Sequence, residues 1–147
     1  MDGFVLFNSF FQPDIDIITE EHIKSIDFSH SGEYKKSLRF SGLLFETINA
    51  DICSSHGVFT GADVIKLILS GSSCVQVVST LYTNGLTQIT KMKKELENWM
   101  DSKQYNNIDE FRGKLSKKRL SSNPFIYKRA QYADLLINSE EIFGVTR

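Results

Sequence analysis

Ala50-Asp51-Ile52-Cys53-Ser54-Ser55-His56-Gly57-Val58-Phe59-Thr60-Gly61-Ala62-Asp63 begins the stretch, running on to Asn84, whose reading decides the fold. Residues 50–54 predict a short buried strand and residues 55–59 a turn. Thr60 then stands where a helix N-cap belongs, with Asp63 three residues on, a capping box in which Asp replaces the usual Glu. Val64, Ile65, Leu67, Ile68 and Leu69 fill a helix of about three turns, and Gly71 suits the position just past its end. Residues 73–79 form a nearly continuous apolar run, as a parallel strand buried on both faces requires. Thr80 and a loop to Gly85 close the unit. Strand, helix and strand in roughly 30 residues is the spacing of a βαβ crossover.

A parallel crossover puts both strand ends on one side of the sheet, so the loops after Ser54 and Ser79 become neighbours. Gly57 lets the backbone come close to a ligand, and N–H groups at the following helix start favour an anion. Ser79 and Thr80 add hydroxyls from the adjacent strand. The same residues also suit a plain tight turn at Gly57 and helix capping at Ser79 and Thr80. Pattern alone leaves both readings open.

The strings Gly57-Val58-Phe59-Thr60-Gly61-Ala62-Asp63-Val64-Ile65-Lys66, Leu69-Ser70-Gly71 and Val75-Gln76-Val77-Val78-Ser79-Thr80-Leu81 are more specific. They resemble the C-terminal part of the dihydroorotate dehydrogenases, closest to the class 1-like, dihydroorotate dehydrogenase-like branch. The likeness continues through Asn84-Gly85, Glu97-Asn98-Trp99-Met100 and the run 108–115, and starts early at Phe7-Asn8 and Gln12-Pro13-Asp14-Ile15-Asp16. It covers residues 4 to about 120. Those enzymes are FMN-dependent (β/α)₈ barrels of pyrimidine biosynthesis.

The resemblance implies an α/β fold: the C-terminal portion of a TIM barrel, about three strand-helix units over residues 1–103, then a helical C-terminal extension over 104–147. A complete barrel takes about 250 residues, and this chain has 147. The expectation is therefore a chain that starts in mid-barrel, with a second chain as a candidate to complete it.

By that resemblance, His56, Gly57, Val58, Ser79 and Thr80 form the FMN phosphate corner, and Gly32 supplies a further flavin-side glycine. Asn8 and Ser9, at the tip of the strand through residues 4–7, face the substrate, dihydroorotate or a related dihydropyrimidine. Ser9 stands where the dehydrogenase-like branch generally has Arg, and His56 where the family often has Gly or Thr. In the family a Cys or Ser base on an earlier loop takes the C5 proton while FMN accepts hydride from C6. No position here matches that loop, so no catalytic residue is assigned. The expected chain is an oxidoreductase by family but inactive alone. The competing expectation is a noncatalytic half-barrel that binds phosphate or flavin, or serves as an interaction module.

The remaining segments carry less chemistry. Residues 12–28 form an acidic excursion in which Asp14 and Asp16 alternate with Ile15 and Ile17 as in a short edge strand. No third ligand lies at metal spacing, and His22 and His30 are isolated, so no metal is expected. Tyr34, Leu38, Ser41, Phe45 and Ile48 mark one face of a helix with a 3.6-residue period, thickened by Phe40, Leu43 and Leu44. Leu86, Ile89, Met92, Leu96, Trp99 and Met100 mark another helix of about five turns. Lys91–Glu95 and Lys93–Glu97 stand at ion-pair spacing on its outer face. A short helix is expected from Ile108, and a last one from Asn123-Pro124. Cys53 and Cys74 are expected as buried free thiols in or beside strands.

Residues 1–84 carry a net charge of −5 and residues 85–147 one of +4, within a total of −1. Lys114, Lys117, Lys118 and Arg119 form a basic cluster, read as a solvated surface because no nucleic-acid motif accompanies it. Hydrophobic content of 41% is that of a globular piece. With no 18-residue apolar run and no secretory signal, the expectation is a cytoplasmic protein with no membrane or nucleic-acid partner.

Overall fold

A computed structural model describes residues 2–8, 13–23, 28–120 and 127. The stretch quoted first folds as its residues dictate. Strand β4 (Asp51–Ser54) leads into helix α2 (Gly61–Ser70), which returns to strand β5 (Cys74–Val75). The Thr60 hydroxyl accepts from the Asp63 N–H, and the Asp63 carboxylate accepts from the Thr60 N–H, so the capping box is complete. Gly71 ends the helix at φ 128, a conformation that side chains resist.

Strand β1 (Gly3–Leu6) pairs in parallel with β4 through helix α1 (Lys35–Leu44), and β4 pairs in parallel with β5. The sheet order β1-β4-β5 is thus two consecutive crossovers. The acidic excursion is a small antiparallel hairpin, β2 (Asp14–Asp16) with β3 (Glu21–Ile23). Its carboxylates serve the backbone: Asp14 accepts from Ile15 N, and Asp16 from the N–H groups of Ile18 and Thr19. No metal-holding cluster of three such side chains exists among the described residues. Nor is any helix among them long and apolar enough to cross a membrane.

Several expectations are corrected. The strand expected over 73–79 pairs only at Cys74–Val75, because β4 ends at Ser54 and offers no longer ladder. The expected loop from Thr80 to Gly85 is instead helix α3 (Ser79–Asn84), closed by Gly85 at φ 77. Cys74 is exposed and Cys53 only half-buried; both are free thiols. Neither Lys91–Glu95 nor Lys93–Glu97 forms an ion pair. Glu95, on helix α4 (Thr87–Ser102), turns to accept from Gly61 N at 2.6 Å, capping α2 from outside. Leu86 and Ile89, expected on the buried stripe of α4, are exposed, whereas Met92 is buried.

Tyr34, Val58, Leu67 and Met92 form the apolar core, with Leu38, Val64, Val75 and Val77 packed against it. Beside it lies a polar core. The hydroxyls of Ser41, Ser54 and Ser72 are fully buried and bond one another at 2.6–3.1 Å, tying α1, β4 and the turn before β5 together. Beyond α4, a short 3₁₀ turn (Ile108–Glu110) is capped by the Asn107 side chain. Gly113 N and Leu115 N then donate to Ile68 O, which also accepts from Gly71 N, and to Leu69 O, at the end of α2. Phe111 is fully buried beside Trp99 and Tyr105. The last helix expected from Asn123-Pro124 falls outside the described residues.

Candidate functional site

The C-terminal ends of β1, β4 and β5 share one cavity of about 710 Å³. Phe7 and Asn8 follow β1, residues 55–58 follow β4, and residues 76–79 follow β5. Phe28 and Ser29 close it from the loop before α1, and Tyr82 from α3. Of the residues singled out above, Asn8, His56, Gly57, Val58 and Ser79 line this space. Gly32 and Thr80 do not. Ser9 lies outside the described residues.

Hydrogen bonds fix the rim. The Ser37 hydroxyl donates to Ser55 O and accepts from Phe7 N, while the Ser55 hydroxyl donates to Phe7 O. This lashes the tips of β1 and β4 to α1, so Asn8 leaves a braced strand end. The Ser79 hydroxyl accepts from both the N–H and the hydroxyl of Ser29, at 3.1 and 2.8 Å. Thr80 is fully buried, its hydroxyl accepting from Asn84 Nδ2. Thr80 therefore shapes the wall from behind.

The corner at His56-Gly57 differs from its sequence reading in a specific way. Both residues are left-handed, at φ 77 and φ 66. A Cβ on Gly57 would lie 2.7 Å from Glu33 Cβ and from His30 O. The glycine is required for contact with the loop before α1 rather than with a ligand. Gly32 donates its N–H to Gly57 O at 3.3 Å, so the two glycines sit back to back. A Cβ on Gly32 would meet nothing within 4 Å.

The start of α2, expected to favour an outside anion, is already served by this chain's own carboxylates. Asp63 accepts from Phe59 N and Thr60 N, and Glu95 from Gly61 N. What remains for an anion is His56, the one basic side chain among the described residues that line the cavity. Its Nε2 lies 3.1 Å from Glu33 Oε2.

The cavity suits a planar heteroaromatic group. Its size lies within the usual range for small-molecule sites, about 300–1,000 Å³. Phe28 and Tyr82 present rings 5.1 Å apart at one wall, and Val5, Val77 and Val78 supply apolar surface. Asn8, Gln76 and Ser79 are the polar groups able to orient such a ring. Glu33, Phe28, Ser29 and Tyr82 were missed from sequence. Tyr82 was detectable in principle: once residues 79–84 are helical, it lies three residues from Ser79 and shares its face.

No protein-family model matches the chain. Among curated proteins, dihydroorotate dehydrogenase (fumarate) of Lachancea kluyveri is 33% identical over 89 residues, covering 58% of this chain and 28% of that protein. Probable dihydroorotate dehydrogenase A (fumarate) of Streptococcus pneumoniae strain R6 is 35% identical over 88 residues, covering 57% and 28%. Among solved structures, a ligand-free DHODH from Eimeria tenella superposes with a TM-score of 0.54 at 25% identity, over 58% of this chain and 24% of that one. The chain is thus similar to dihydroorotate dehydrogenases over somewhat more than half of its own length, and spans about 28% of the length of the curated relatives it matches.

Proposed function

We propose that this chain is the flavin-phosphate side of a dihydroorotate dehydrogenase-like oxidoreductase, folded as the C-terminal portion of a (β/α)₈ barrel. Residues 1–103 supply three strand-helix units and residues 104–147 the extension. The observation that carries the proposal is the shared cavity at the C-terminal ends of three parallel strands, the end at which barrels of this kind place their sites. His56 and the backbone around Gly57 and Ser79 hold the FMN phosphate. Gly32 supports that corner from behind Gly57, and Val58 and Thr80 form its floor. Phe28 and Tyr82 border the ring, and Asn8 orients a dihydropyrimidine such as dihydroorotate. FMN, when bound, supplies the hydride acceptor.

The chain by itself binds without turnover in this proposal, since the family's proton-abstracting Cys or Ser loop has no match among its residues. Oxidation of dihydroorotate to orotate, the pyrimidine-biosynthesis step, then needs the rest of the barrel. That remainder comes from a second chain or from sequence continuous with this one, and the assembly works in the cytoplasm. A specific observation also favours the second reading, a noncatalytic binding module: the Ser79 hydroxyl and the α2 amides are bonded within the chain.

The two separate in one experiment. FMN is titrated into the purified chain by fluorescence quenching, with inorganic phosphate as competitor and Ser79→Asp as the variant. Saturable quenching, lost in the variant, supports the flavin site. Phosphate binding without flavin quenching supports the module. Neither binding overturns both.

A further inference from the structure

Cys53 and Cys74 are register partners on the adjacent parallel strands β4 and β5. Neighbouring strands lie about 4.8 Å apart, inside the Cα separation of roughly 4.4–6.8 Å that a disulfide spans. Register partners also point to the same face of the sheet. That face is the one turned away from the helices: Ile52 and Ser54, the flanking residues of β4, are buried, and Ser54 bonds Ser41 of α1. Val5, the β1 partner of Cys53, belongs to the same row and is 57% exposed. In the chain by itself, before further strands cover this face, the two sulfurs therefore stand side by side where solvent reaches them, Cys74 exposed and Cys53 half-buried.

We propose that Cys53 and Cys74 are a redox-sensitive dithiol that a peroxide converts to a disulfide joining β4 to β5. Cys74 starts the reaction, because it is the exposed thiol. Burial, with the neighbouring Cys74 sulfur, pushes the Cys53 thiol up to about 12, which withholds it from first attack. The Cys74 thiolate attacks a peroxide oxygen, the O–O bond breaks, and a sulfenic acid forms with loss of water. Cys53 sulfur then displaces the hydroxyl: an S–S bond forms, the S–O bond breaks, and a second water leaves. Two thiols and one hydrogen peroxide give one disulfide and two waters, the two electrons passing to the peroxide. The link fastens β5, which holds only two residues in the ladder.

The test uses the full chain treated with stoichiometric hydrogen peroxide, quenched with iodoacetamide and weighed intact, then mapped without reduction. The expected product has lost about two mass units, resists alkylation at both cysteines and yields a linked 53–74 peptide that dithiothreitol separates. Cys53→Ser, matched to the parent by circular dichroism, is expected to stop at a Cys74 sulfenic acid that dimedone traps. Cys74 over-oxidised while Cys53 still alkylates in the parent chain overturns the proposal. So does a link found only between molecules, or no reaction of either thiol.

Discussion

Glu33 Oε2 lies 3.1 Å from His56 Nε2, joining the loop before α1 to the loop after β4. The same oxygen accepts from His30 N at 2.8 Å, so the carboxylate is held before it meets the imidazole. The corner is thus a positioned histidine rather than a bare glycine turn. His56→Gly removes the left-handed strain of a side chain at φ 77, worth about 1 kcal/mol, and forfeits a partly exposed contact with Glu33 of similar or smaller size. The expected outcome is urea-denaturation stability close to the parent's, with FMN binding weakened roughly tenfold, about 1.4 kcal/mol. Equal affinity in the two proteins would remove His56 from the site.

Gly57 and Gly85 both have positive φ but differ in surroundings. An added Cβ meets Glu33 and His30 at 2.7 Å in the first case and nothing within 4 Å in the second. Gly85→Ala is expected to cost about 1–3 kcal/mol, the penalty of a side chain at φ 77 and ψ 172 alone. Gly57→Ala adds a clash with backbone and is expected to cost about 2–4 kcal/mol. Denaturant midpoints of the two variants check this, and equal losses would contradict it.

The buried serine triangle makes a different prediction. Ser54 bonds both Ser41 and Ser72, so Ser54→Ala removes two of the three buried hydroxyl bonds and leaves Ser72 and Ser41 with only their mutual bond and the one from Ser41 to Ser37 O. A loss of about 1–3 kcal/mol is expected. Restoring much of it by adding Ser41→Ala and Ser72→Ala would show that unmet hydrogen bonding, not volume, is the cause.

Glu46 gives a pH signature. The hydrogen bond from Arg119 holds its carboxyl below the usual value of 4.5. A lowered folded-state pKa contributes stability above the unfolded value that is lost as pH falls through the folded one. The difference in thermal midpoint between the parent and Glu46→Gln is therefore expected to be largest above pH 4.5 and to close as acid is added. High salt shrinks it throughout, since the pair is exposed.

Local signals carried the fold far. The Thr60–Asp63 capping box and Gly71 delimit α2 as their chemistry requires, and the βαβ spacing gave the parallel pairing of β4 with β5. Errors arose where distant residues decided the outcome. Glu95 has ion-pair spacing with Lys91, but the uncapped Gly61 N–H is the stronger attraction. The apolar run 73–79 looks like a strand, yet a strand is only as long as its partner, and β4 stops at Ser54. At the site, spacing brought His56, Gly57 and Ser79 together but left Glu33 and Ser29 invisible. Their roles depend on a loop whose placement no local pattern encodes.

The most direct test of the flavin-phosphate proposal is an amide ¹H–¹⁵N chemical-shift titration of the full chain with FMN. The proposal predicts saturable shifts at Asn8, His56, Gly57, Ser79 and Tyr82, with the opposite end of the sheet around Gly71, Ser73 and Arg112 unmoved. Shifts confined to that opposite end, or none at millimolar FMN, would contradict it.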